Sequence, residues 1–124
     1  MSFPPFRLLI VDDQPLTRQS LKTLLTASFP LIEVREVGDG REACDCLENF
    51  HPYLIVMDGR MPEMDGIEAT FRIKEKDPKV KIILLSMYSG YEVAALTAGA
   101  DRFVTKENPL DLLREVSNIM IQFR

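Results

Sequence analysis

Residues 54–58, Leu54-Ile55-Val56-Met57-Asp58, decide the fold: a continuous apolar run that ends on a carboxylate. Four apolar residues with no polar alternate mark a strand covered on both faces, the situation of a parallel sheet lying between layers of helices. Working outward, Leu8-Leu9-Ile10-Val11 and Ile82-Ile83-Leu84-Leu85 have the same character and supply two more central strands. Ile32-Glu33-Val34-Arg35-Glu36-Val37 starts by alternating, and Arg102-Phe103-Val104 is brief, so both suit the edges of the sheet.

Helical spacing fills the intervals. Leu21, Leu24, Leu25 and Ser28 form one stripe, Ala43, Leu47 and Phe50 a second, Ile67, Thr70, Phe71 and Lys74 a third, and Leu113, Val116 and Met120 a last. Asp39 with Glu42, Asp65 with Glu68, and Ser89 with Glu92 each set a capping residue three positions before Glu, which predicts three helix starts. Asn108-Pro109 opens the final helix and Gly99 closes the one before it. The order is βα five times over, which predicts an α/β fold, a five-stranded parallel sheet with helices on both sides.

A chain of 124 residues suits one domain, 1–124, able to bury roughly two-thirds of the surface its unfolded form exposes. Fifteen Lys and Arg against 19 Asp and Glu give a net charge of −4, which argues against this domain docking on nucleic acid or an anionic membrane. Met1-Ser2-Phe3-Pro4-Pro5-Phe6 lacks the basic start and long apolar core of a leader, and no apolar run approaches ~20 residues, so a soluble, cytoplasmic protein is expected. Cys44 and Cys46, two apart on a helix, point to different sides and read as reduced thiols. His51, the sole histidine, reads as a loop residue, and the methionines as packing and loop residues.

The chemistry-bearing residues recur at one place in the pattern. Asp12, Asp13, Asp58, Ser86 and Lys106 each follow the end of a strand, and in a parallel α/β sheet those ends share one edge. Three carboxylates there would repel one another and suit a hard divalent cation, which takes oxygen ligands. Asp58 can act as nucleophile toward a phosphoryl group, with the Lys106 ammonium offsetting transition-state charge. Each residue alone has a bland reading: Asp12-Asp13 as a cap and a solvated charge, Ser86 as a strand-end hydroxyl, Lys106 as a surface ammonium. Only their joint placement makes a site.

Asp12-Asp13, the run Asp58-Gly59-Arg60-Met61-Pro62-Glu63-Met64-Asp65-Gly66, Ser86 and Lys106 resemble the receiver domain of two-component response regulators. Ser86-Met87-Tyr88 and Lys106-Glu107-Asn108-Pro109 resemble the NarL/LuxR-type transcription regulators. The resemblance implies a flavodoxin-like doubly wound sheet, strand order 2-1-3-4-5. It implies phosphoryl transfer to Asp58 from a sensor histidine kinase or phosphotransfer protein, with Mg²⁺, or Mn²⁺ in its place, held by Asp13, Asp58 and the backbone carbonyl of Arg60, and by Asp12 through water. Ser86 and Phe103 are implied as the switch residues, Ser86 and Lys106 contacting the phosphoryl oxygens and Phe103 turning inward. A C-terminal DNA-binding domain and a homodimer are further implied partners.

Gly59 departs from the family's usual apolar residue, and Arg60 and Tyr88 stand at positions that tune the lifetime of the phosphoryl group. Reversing a 1:99 equilibrium needs about 5.5 kcal/mol, and two charge-assisted hydrogen bonds supply about 3–6 kcal/mol, so phosphorylation is large enough to drive a switch. Two other readings compete: an aspartate-nucleophile phosphatase, whose Asp-x-Asp pattern is missing at Asp12-Asp13 and at Asp58-Gly59-Arg60, and a phosphorylation-independent interaction domain, in which the acidic set need not be intact.

Overall fold

The computed structural model describes residues 5–123; Met1-Ser2-Phe3-Pro4 and Arg124, the extremes of the expected domain, lie outside the described residues. Strands β1 (Phe6–Val11), β2 (Ile32–Val37), β3 (Leu54–Asp58), β4 (Lys81–Ser86) and β5 (Arg102–Thr105) alternate with helices α1 (Pro15–Ser28), α2 (Gly40–Phe50), α3 (Gly66–Lys76), α4 (Glu92–Ala98) and α5 (Pro109–Gln122). All strand pairs are parallel, in the order β2-β1-β3-β4-β5. The alternating and the brief strand are the two edges, as their sequences require.

Successive residues of a strand face opposite sides, and each side has its own core. Leu9, Val11, Ile55, Met57, Ile82 and Leu84 pack under Ala43 and Leu47 of α2, Ile73 of α3 and Ala95 of α4. Leu8, Ile10, Leu54, Val56, Ile83 and Leu85 pack under Leu25 of α1 and Leu112, Val116 and Ile119 of α5. Right-handed crossovers dictate this division: the chain travels one way from β1 to β2 and the other way through β3, β4 and β5, so α1 must lie opposite α2, α3 and α4.

Helix starts hold in two of the three capping pairs. Asp39 Oδ1 accepts from the Glu42 N–H at 2.8 Å and Asp65 Oδ1 from the Glu68 N–H at 2.9 Å. The third is corrected: Ser89 opens a 3₁₀ turn over Ser89–Tyr91, and α4 begins at Glu92 behind Tyr91 with no side-chain cap. Asn108 caps α5 through the Leu110 N–H at 3.1 Å, and Gly99 ends α4 at φ 112°. The stripe expected on α3 is also rotated: Gly66, Ala69, Thr70 and Ile73 are buried, whereas Phe71 is 52 % exposed. Small residues face the sheet because α3 starts against it, where a Cβ on Gly66 would strike the Asp58 carbonyl. Among the described residues no helix is long and apolar enough to cross a membrane.

Candidate functional site

The loops leaving β1 and β3 depart in opposite directions, which opens a crevice at the carboxyl ends of these neighbouring strands. Asp12 and Asp13 stand just past β1 and Asp58 ends β3; carboxylate oxygens of all three lie within 4.8 Å of one another. Asp12 and Asp58 are buried and Asp13 half-buried. The ladder continues past the strand ends, with the Asp12 N–H donating to Val37 O, the Gly59 N–H to Leu85 O and the Lys106 N–H to Ser86 O. This fixes the backbone from which each site side chain projects.

Lys106 reaches across from the end of β5. Its Nζ is 3.0 Å from Asp58 Oδ1 and 3.5 Å from Asp12 Oδ2. Burial pushes the Asp58 carboxyl above the ordinary carboxylate range, opposed by the Lys106 hydrogen bond and aided by the Asp12 charge. For Lys106 burial works to lower the ammonium's pKa, but the hydrogen bond and charge of Asp58, with the charge of Asp12, outweigh it and hold it above its usual value. The ammonium is therefore fixed as a cation between two buried carboxylates.

Asp12 uses most of its polar atoms on the protein. Its Oδ1 accepts from the Gln14 N–H at 2.8 Å and its carbonyl accepts from Arg18 Nη1 at 2.6 Å. Oδ2 is buried, makes no hydrogen bond and has only the more distant ammonium for company. A buried carboxylate oxygen without a donor, in a group of three carboxylates, is a donor set that could hold a hard metal cation.

Ser86, at the end of β4 and buried, accepts from the Tyr88 N–H at 3.0 Å, leaving its own hydroxyl hydrogen free to donate. A Cβ on Gly59 would lie 3.3 Å from Ser86 Cβ, so the glycine keeps open the space beside it. Arg60 is exposed, its guanidinium 5.5 Å from the Tyr88 ring centroid, and Tyr88 stacks edgewise on Tyr91; this row of side chains flanks the site. Phe103 on β5 is half-buried and packs on the α2–α3–α4 side of the sheet.

The five expected strand-end residues thus stand at one edge, with Phe103 inside β5, two residues before its last residue. Features outside the sequence reading are the Arg18 contact, the Gly66 close approach and a tight turn at Glu63. There φ is 67° and the Met64 N–H donates to Pro62 O at 2.8 Å, a strained γ-turn in the loop that follows Asp58. Cys44 is half-buried and Cys46 buried, both free, and His51 is exposed at the end of α2.

Comparison with known proteins agrees with this geometry. Residues 8–118 match the profile of the response regulator receiver domain. The nitrate/nitrite response regulator protein NarL of Escherichia coli K12 is 33 % identical over 113 residues, covering 89 % of this chain and 52 % of that protein. The chain spans about half the length of the curated relatives it matches. Among solved structures, a LuxR-family two-component response regulator from Aurantimonas sp. SI85-9A1 superposes with a TM-score of 0.88 at 31 % identity, covering 96 % of this chain and 87 % of that one. The response regulator TrrA of Thermotoga maritima, solved in complex with Mg²⁺ and BeF, superposes with a TM-score of 0.82 at 33 % identity, covering 91 % and 97 %.

Proposed function

Because the chain belongs to the response regulator receiver domain family of two-component systems, and within it resembles the NarL/LuxR type, we propose that Asp58 is a phosphoryl acceptor whose modification switches an output. The supporting observation is the buried Asp58 carboxylate, 3.0 Å from a fixed ammonium and beside two further carboxylates. A histidine of a sensor kinase or phosphotransfer protein supplies the group. A carboxylate oxygen of Asp58 attacks phosphorus, the bond from phosphorus to the imidazole nitrogen breaks, and the imidazole retains the electron pair and takes a proton from solvent.

Asp13 and Asp58 by carboxylate oxygens, Arg60 by its backbone carbonyl and Asp12 through water are the residues that would hold Mg²⁺ or Mn²⁺. The bound cation supplies neutralising charge to the phosphoryl oxygens. Lys106 pairs with one phosphoryl oxygen and Ser86 donates its free hydroxyl hydrogen to another. Arg60 and Tyr88 limit the approach of the water that later attacks phosphorus and restores Asp58. The protein thus catalyses its own phosphorylation and dephosphorylation without turning over a separate substrate.

Movement of Ser86 toward the phosphoryl group vacates room into which Phe103 turns, changing the surface of α4, β5 and α5. Val93 and Leu96 expose apolar area on α4, where an output partner or a second copy gains contact. We place the reaction in the cytoplasm, in one receiver domain spanning 1–124, with transcriptional output through a C-terminal DNA-binding domain. Treatment with a small-molecule phosphodonor and Mg²⁺ is expected to give a labile phosphoryl adduct by intact mass, absent in Asp58→Asn. An adduct that survives this substitution would identify another nucleophile, and unchanged amide shifts at Ser86 and Phe103 would remove the switch.

A further inference from the structure

Arg18 is a half-buried cation that the phosphoryl chemistry does not use. It sits on α1 with its side chain 21 % exposed, Nη1 donates to the Asp12 carbonyl at 2.6 Å, and Nε lies 3.6 Å from Glu36 Oε1. Nε is buried and makes no hydrogen bond. Lys22 Nζ, 3.7 Å away, draws on the other oxygen of Glu36. Glu36 belongs to β2, paired with Ile10 of β1, so the guanidinium spans from α1 to the end of β1 on one side and to the edge strand on the other. A guanidinium carries its donors on a rigid planar fork and so meets its two partners at fixed relative positions, whereas an ammonium is a compact charge on a flexible stem.

By charge alone this arrangement is unfavourable beside a cation site, since a guanidinium repels a divalent ion. Its contact with Asp12 is to the backbone, and that matters because the peptide unit is planar: fixing the Asp12 carbonyl fixes the Asp13 nitrogen and the direction in which the chain enters Asp13. The Asp12 N–H is tied to Val37 O and Oδ1 to the Gln14 N–H, so the carbonyl is the one remaining backbone tether.

We propose that Arg18, anchored by Glu36, is a positioning residue that clamps the Asp12 carbonyl and thereby aims Asp12 Oδ2 and the Asp13 carboxylate at the metal. The inference rests on the metal-binding reading above, and it deepens that reading by assigning a supporting pair outside the ligand set.

Mg²⁺ affinity, followed by amide shifts in NMR titrations, tests it. Arg18→Met, which keeps an apolar stem, is expected to weaken Mg²⁺ binding about tenfold, the scale on which outer partners of metal ligands act. Arg18→Lys keeps the charge but not the fork and is expected to stay weak. Glu36→Gln weakens binding in the same direction by a smaller factor, and the double variant binds no more weakly than Arg18→Met alone, because the two residues act as one unit. Without metal, the amide shifts of Asp13 and Gln14 move in Arg18→Met and Glu36→Gln. Binding by Arg18→Met as tight as wild type, or tighter, overturns the clamp, whatever happens to the melting temperature, as does full recovery in Arg18→Lys. If Arg18→Met fails to fold, Glu36→Gln decides: unchanged affinity and unchanged metal-free shifts overturn the proposal. A wild-type protein that does not bind Mg²⁺ overturns the metal reading itself, a separable result.

Discussion

As the proposed phosphoryl acceptor Asp58 has to be ionised, yet its surroundings disfavour the ionised form. Burial raises its pKa first, the neighbouring Asp12 charge adds to that, and Lys106 offsets only part of it. A carboxyl whose folded-state pKa lies above the unfolded value of about 3.9 contributes stability that is fully present below that value and lost as pH rises through the folded pKa. Metal-free Asp58→Asn removes this penalty, so it is expected to melt a few degrees above wild type near pH 7, with the gap closing toward about pH 4. Equal melting temperatures across that range would mean that Lys106 fully compensates the burial. At this scale the sequence exposed the carboxylates, hydroxyl and ammonium because their positions after apolar runs are one-dimensional facts. Arg18 escaped because its role depends on a turn of α1 laid beside β2, and nothing in Leu16-Thr17-Arg18-Gln19 distinguishes it from a solvated charge. Gly66 was equally silent, since a close approach between α3 and the Asp58 carbonyl leaves no mark except a missing side chain.

Elements differ in how far local chemistry determines them. Where a cap accepts a real hydrogen bond, as Asp39 and Asp65 do, the sequence pattern and the helix start agree. Ser89 has the same pattern with Glu92, but the chain leaving β4 enters a 3₁₀ turn instead, and the Ser86 hydroxyl receives the Tyr88 N–H just upstream. A local turn at the strand end thus takes precedence over the capping preference. Asp39→Ala is therefore expected to destabilise the fold by about 1 kcal/mol, whereas Ser89→Ala should change it by no more than about 0.5 kcal/mol. Urea unfolding of the two variants checks this, and equal losses would restore Ser89 as a cap. The stripe on α3 failed for a related reason. Reading by helical spacing placed Phe71 inward with Ile67, Thr70 and Lys74, but the helix meets the sheet through Gly66 and Ala69, and the large ring is left on the outer side. Periodicity reports a repeat, while contact distance chooses which phase of it is buried.

Across the whole molecule, the strand order was legible only through the resemblance: apolar runs identify central strands and alternation identifies edges, but neither says that β1 lies between β2 and β3. That order is what matters for function, because it places opposite-going connections side by side and brings Asp12, Asp13 and Asp58 from separate parts of the chain to one crevice. These carboxylates are together only when the sheet is formed, so an ion that binds them binds the folded chain and not the unfolded one. Stability should then rise with Mg²⁺ by mass action, about 2.7 kcal/mol at a hundredfold excess over the dissociation constant and about 1.4 kcal/mol for each further tenfold. The urea midpoint of wild type is expected to climb with the logarithm of Mg²⁺ concentration at an unchanged m-value, since the metal alters the energy of folding and not the surface exposed. Asp13→Asn should flatten this dependence, although it relieves repulsion and leaves the metal-free protein at least as stable as wild type. A midpoint indifferent to Mg²⁺ in wild type, or a slope retained in Asp13→Asn, would show that these three carboxylates do not act together on a cation.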